Sequence, residues 1–163
     1  MTDMNRTIFR KYDIRGTAAG ADAQLTPTVA RLVGRALCTY LPRAFQTERV
    51  FVGMDNRLTS PPLHDALIEG LLSTGMNITD IGQVITPTVY FASASFAGRA
   101  AGVQITGSHL DTRYNGIKMA YGALALFDQQ IQSLLEIIDA DSFAIGEGRL
   151  DTNFDMMNQH MAY

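Results

Sequence analysis

A single cysteine, Cys38, stands in the 163-residue sequence, which excludes an intrachain disulfide framework and fits a reducing compartment. No apolar run approaches the ~20 residues that a membrane span requires. Met1 to Arg10 has no apolar core of the kind a secretory signal needs, so the cytoplasm is the expected location. An excess of positive charge is also missing. Thirteen lysines and arginines face 16 aspartates and glutamates, a net charge of −3, which argues against nucleic acid or an anionic membrane surface as a partner. Any anion site must therefore be local. Internal repeats, low-complexity tracts and long linkers are absent as well.

What is there is the composition of one globular domain: 47% hydrophobic and 18% charged residues over a length that suits a single core. Residues 8–16, Ile-Phe-Arg-Lys-Tyr-Asp-Ile-Arg-Gly, are expected to form a short, charge-rich strand ending at a glycine. Thr26-Pro27 opens a helix whose stripe runs Val29, Leu32, Val33, Ala36, Leu37, Tyr40 and Leu41, with Cys38 packed beside it and Pro42 as its stop. Arg49–Met54 reads as a buried strand. Ser60-Pro61 is expected to cap the helix after it, with His64 on that helix's surface and Gly75 at its end. Asn77–Gly82 reads as a strand, Thr86-Pro87 as a third helix start, Ala101–Ile105 and Ile117–Tyr121 as strands, and Asp128 as the start of a helix with Ile131, Leu134, Leu135 and Ile138 inside. The alternation predicts one α/β domain, a three-layer α/β/α sandwich with helices on both faces of a sheet. An Asn115-Gly116 turn is expected to return the strand after it antiparallel, making the sheet mixed. Beyond Gly146-Glu147-Gly148, Phe154, Met157, His160 and Met161 recur at helical spacing, with no partner in the chain to pack on.

The chemistry is expected in the run from Gly102 to Lys118. An apolar strand there leads into Thr106-Gly107-Ser108-His109, where Gly107 allows close backbone approach and leaves neighbouring amides free to face an anion. Ser108-His109 follows the second glycine where a P-loop needs Lys-[Ser/Thr], so an NTPase is excluded. Nor is there a G-x-S-x-G elbow. A serine hydrolase fits poorly, because Ser108 and His109 are adjacent and no acidic partner is evident.

The loop resembles the active-site serine loop of the α-D-phosphohexomutases, the phosphomannomutase/phosphoglucomutase family, of the form T-[A/G]-S-H-N-P-x-x-Y-N-G-x-K. Thr106, Gly107, Ser108, His109, Tyr114, Asn115, Gly116 and Lys118 match, and Leu110-Asp111 stands in place of Asn-Pro. Residues 9–16 are similar to the family's F-R-x-Y-D-I-R-G signature, and Gly53 to Pro61 to its G-x-D-x-R-x-[ST]-[GS]-P segment. The resemblance implies domain I of such an enzyme over residues 1–148, with 149–163 a linker or the start of a second domain. It implies that Ser108 carries the phosphate and contacts the metal. His109 and Lys118 would handle protons or hold the transferring group, Tyr12 and Arg15 would bind phosphate, and Asp55 and Arg57 would brace the neighbouring loops. Read without the family, Asp55 and Arg57 are an ordinary loop ion pair. The implied cofactor is Mg2+, held by a D-x-D-x-D cluster that this sequence lacks. The implied partners are a hexose phosphate or hexose 1,6-bisphosphate and the enzyme's remaining domains; a homo-oligomer is left open. The alternative is a natural single-domain relative that binds or regulates without catalysis, since the Asp111 carboxylate would repel an incoming phosphate.

Overall fold

Along Arg49–Met54, Val50 and Val52 are buried in one apolar cluster and Phe51 in another, so both faces of the sheet have to be covered. The computed structural model describes residues 4–96 and 98–163 and shows how. In chain order the elements are β1 (Ile14–Thr17), α1 (Pro27–Ala44), β2 (Arg49–Met54), α2 (Ser60–Leu72), β3 (Asn77–Gln83) and α3 (Thr86–Ser95). There follow β4 (Ala100–Ile105), β5 (Tyr114–Tyr121), β6 (Leu124–Ala125), α4 (Gln129–Asp139), β7 (Leu150–Thr152) and α5 (Met156–Met161).

The sheet order is β1-β5-β4-β2-β3-β7, with β6 paired to β5. Among the described strands only β5 runs against the rest, as its antiparallel pairings with β1, β4 and β6 require, while β2, β3, β4 and β7 pair in parallel. The result is the expected three-layer sandwich on a mixed, mostly parallel sheet. Helices α1, α2 and α4 cover one face over the larger cluster, and α3 and α5 cover the other. The backbones of α1 and α2 nearly touch: a Cβ on Gly70 would lie 2.2 Å from the Arg31 carbonyl oxygen. No helix among the described residues is long and apolar enough to cross a membrane.

Several local expectations are corrected. Residues 8–16 are not one strand: a 3-10 turn at Arg6–Ile8 precedes a tight turn in which the Arg10 N–H donates to the Asp13 carbonyl, and extended pairing starts at Ile14. Pro42 does not stop α1. Near the helix end it forfeits a single backbone donor, and the Phe45 N–H still closes on the Leu41 carbonyl. Asn115-Gly116 is no turn but lies inside β5, so the reversal occurs earlier, within residues 107–113. The tail has a partner after all. Leu150–Thr152 adds to β3, and Met156 packs with Phe51, Ile81 and Val89, while His160 stacks on Phe91 at 4.9 Å. Helical spacing in the sequence could show that an apolar stripe existed but not that α3 would leave a surface to receive it.

Candidate active site

The strands β2, β3 and β4 point their C-terminal ends the same way, and Asp55, Val84 and Thr106 follow them directly. Parallel α/β sheets bind ligands at this rim. An open groove of about 770 Å³ lies there, with Asp55, Arg57, Gln104, Thr106 and Ser108 in its wall. Ser108 is exposed and has φ +56°, a left-handed conformation that costs a non-glycine residue on the order of 1 kcal/mol. Something must hold it there.

That something is Arg57. Its Nη2 donates to the carbonyls of Ser108 and Leu110 at 3.1 and 2.7 Å, and its Nη1 to those of Asp111 and Tyr114 at 2.8 and 3.1 Å. The Nε donates to Asp55 Oδ2 at 3.1 Å. All five guanidinium N–H groups are thereby used, in the fixed fan that only arginine offers. Asp55 in turn accepts from the backbone N–H of Arg57 and of Gly107 and from the Ser60 hydroxyl. Burial pushes its carboxyl pKa up, but the Ser60 hydroxyl, these amides and the Thr106 side chain outweigh burial and bring it below the usual carboxylate value. Ser60 does not cap α2, because its hydroxyl is committed to Asp55. Buried Asn115 donates to the Thr59 and Ser60 hydroxyls, both at 2.9 Å, and so ties β5 into the same network.

Gly107 has a different task from the one its sequence suggests. Its N–H is taken by Asp55, and the Ser108 N–H by the Thr106 hydroxyl at 2.9 Å, so neither amide is free for an anion. What approaches the missing side chain is the guanidinium itself. A Cβ at Gly107 would lie 2.4 Å from Arg57 Cζ. Gly107→Ala should therefore cost about 2 kcal/mol through overpacking, seen as a lower urea midpoint; an unchanged midpoint would mean the guanidinium slides aside freely.

His109 Nδ1 lies 3.4 Å from Ser108 Oγ, at the outer limit of a hydrogen bond. Lys118 and Arg15 converge on one carboxylate oxygen, Oδ2 of Asp13, at 3.4 and 2.6 Å. Tyr12 is 66% exposed at the tip of the turn before β1, with the Lys11 ammonium 5.5 Å above its ring. Asp111 turns its carboxylate to Arg113, whose backbone N–H and guanidinium hold its pKa below the usual value. Sequence reasoning missed Asp13, although its alternation with Arg15 around Ile14 places both on one side of the strand. It also misplaced His64, which is 3% exposed, with its ring nitrogens 3.0 and 3.1 Å from Asp80 and Asp65.

The residues of this chain do not by themselves fit a Mg2+ ion. Ser108 offers one oxygen where about six are wanted, and no group of three or more histidine, cysteine, aspartate or glutamate side chains among the described residues could hold a metal.

The family model described as phosphoglucomutase/phosphomannomutase, alpha/beta/alpha domain I, matches residues 6–145. The chain belongs to this family. Among its relatives, a phosphoglucomutase of Neisseria meningitidis serogroup B is 40% identical over 144 residues, 88% of this chain and 30% of that protein. A phosphomannomutase/phosphoglucomutase of Pseudomonas putida is 38% identical over 145 residues, 89% of this chain and 30% of that one. A crystal structure of a phosphoglucomutase/phosphomannomutase family protein from Burkholderia thailandensis superposes with a TM-score of 0.84 at 34% identity, covering 96% of this chain and 35% of that one. This phosphoglucomutase/phosphomannomutase domain I thus spans about a third of the length of the proteins it matches. Within it, β5 ties the strand after the serine loop to the Asp55–Pro61 segment through Asn115 and Ser60, and to the turn before β1 through Lys118 and Asp13.

Proposed function

We propose that this chain is the phosphoserine-bearing domain of a phosphohexomutase, which moves a phosphate between the 1- and 6-positions of a hexose phosphate. The observation that carries this reading is Ser108: an exposed hydroxyl at the C-terminal rim of parallel strands, beside an open groove, on a loop whose carbonyls are gathered by one arginine. Phosphoryl transfer needs little from a protein beyond positioning and charge compensation, and a serine phosphoester suits storage followed by transfer. The Oγ–P bond of phosphoserine breaks as its phosphoryl group passes to the free sugar hydroxyl, and the proton of that hydroxyl ends on Ser108 Oγ. The hexose 1,6-bisphosphate then turns over and returns its other phosphate to Ser108 Oγ.

In this scheme His109 and Lys118 handle the proton or hold the moving group, Tyr12 and Arg15 bind phosphate, and Asp55 and Arg57 brace the loop. Ser108 would give Mg2+ one oxygen. The other ligands, and the rest of the sugar site, would come from further domains; the 163-residue chain alone would be inactive. A cytoplasmic setting goes with hexose phosphate substrates. The pairing of Asp111 with Arg113 favours catalysis over a purely binding module, because it offsets the carboxylate that would otherwise face the incoming phosphate.

Intact mass after incubation with a hexose 1,6-bisphosphate and Mg2+ tests the carrier. One phosphate adduct is expected on the wild-type protein carrying its remaining domains, and none on Ser108→Ala. An adduct that persists in Ser108→Ala, or none on that wild-type protein, sinks the assignment.

A further inference from the structure

The geometry points to Asp13 as a positioning residue that fixes Arg15 and Lys118 as one cation pair for a phosphate group. This rests on the phosphoryl-transfer reading above and extends it to a residue that reading does not use.

Register explains the convergence. β1 and β5 are antiparallel with Ile14 opposite Ile117, so one step out along each strand brings Asp13 opposite Lys118, on the face away from the two buried isoleucines. Arg15, one residue beyond Ile14 on the other side, returns to that same face. Asp13 is 8% exposed. Its Oδ2 accepts from Arg15 Nη2 and from Lys118 Nζ, which places the two cationic nitrogens no more than about 6 Å apart, a range in which like charges disfavour one another. Without the carboxylate they would separate. Arg15 spends only Nη2 on Asp13, and its Nε is buried with no partner among the described residues. One edge of the guanidinium is thus anchored, and Nη1 is left to donate to a ligand.

Charge and geometry pull in opposite directions here. Asp13 lowers the net charge of the cluster from two positive to one, so a purely electrostatic role predicts that Asp13→Asn binds phosphate more tightly. A positioning role predicts weaker binding, because Arg15 and Lys118 then have to be ordered by the ligand.

The test is a titration of the 163-residue chain with inorganic phosphate, followed by the nitrogen and proton resonances of the Arg15 guanidinium and the Lys118 ammonium. Wild type is expected to show shifts at both residues, and Asp13→Asn to need roughly tenfold more phosphate, the scale of one charge-assisted hydrogen bond. Asp13→Glu should recover part of the loss. Equal or tighter binding by Asp13→Asn overturns the positioning role. Should that variant unfold, Asp13→Glu and Arg15→Lys keep every charge while altering the geometry; unchanged phosphate binding in both overturns it equally. Absence of any wild-type shift at Arg15 and Lys118 removes the cation pair as a phosphate receptor. Phosphorylation of Ser108 is read independently by mass, so that failure is distinguishable from failure of the carrier assignment.

Discussion

Replacing Arg57 by alanine is expected to lower the stability of the domain by about 3 kcal/mol, as removal of one partner from a mostly buried ion pair does, and to free the serine loop. Arg57 and Asp55 are only 13% and 19% exposed in their side chains, so solvent screens the pair weakly. The alanine variant leaves Asp55 without its guanidinium and removes the common donor from the carbonyls of Ser108, Leu110, Asp111 and Tyr114. Ser108 then has little to keep it at φ +56° and should relax towards an ordinary backbone conformation. Lysine is not a substitute: one ammonium has three donors on a flexible stem and cannot fan across four carbonyls while also meeting a carboxylate. Urea unfolding gives the stability loss, and amide exchange over residues 107–114 reports the loop. Both Arg57→Ala and Arg57→Lys should exchange faster there. Unaltered exchange in the alanine variant would mean that the loop holds itself, and the bracing role would be abandoned.

His64→Ala is expected to cost a similar amount, about 3 kcal/mol, from the lost packing of a buried ring and from an Asp80 carboxylate left without its imidazole hydrogen bond. The two residues join α2 to β3 beside the irregularity where the Gly82 N–H donates to Asp80 Oδ1 at 2.8 Å. Burial opposes charging of the imidazole, but the hydrogen bonds and charges of Asp80 and Asp65 prevail and raise its pKa above the ordinary 6.5. A histidine whose folded pKa is raised contributes stability that is complete below its unfolded value and disappears as pH climbs through the folded one. The wild-type urea midpoint should therefore fall as pH rises from about 6.5 through that raised value, and His64→Gln, which can still donate to Asp80, should lose this dependence. Asp80 acts at the other end of the scale. Burial pushes its carboxyl up, but His64 and the Gly82 N–H bring it below 3.8, so its share is present at neutral pH and lost on acidification through that lowered value. A wild-type midpoint that stays flat or rises above pH 6.5 would show that His64 is neutral in the fold.

Much of this protein was written in short-range signals. The stripe of α1, the buried run of β2, the proline-marked helix starts and the spacing of Thr106-Gly107-Ser108-His109 to Lys118 each lie within about twenty residues, and each survives in the structure. Periods of 2 and 3.6 residues are properties of the backbone, so they can be read without knowing what lies opposite. That is why the layers, the mostly parallel sheet and the serine loop were legible, and why residues 9–16, 53–61 and 106–118 could be recognised as parts of one family.

Only the tertiary structure decided which polar side chain meets which. Arg57 reaches carbonyls more than fifty residues away, Asn115 finds Ser60, Lys118 finds Asp13, and His64 turns inward to Asp80. A histidine in the first turn of a helix or an Asn-Gly pair looks the same in sequence whether it is buried or exposed. Local propensity assigned one to the surface and the other to a turn, and burial overruled both. The alphabet carries backbone periodicity along the chain, but a buried donor's acceptor is set by the register of strands that are distant in sequence, and that register exists only once the sheet has closed over its core.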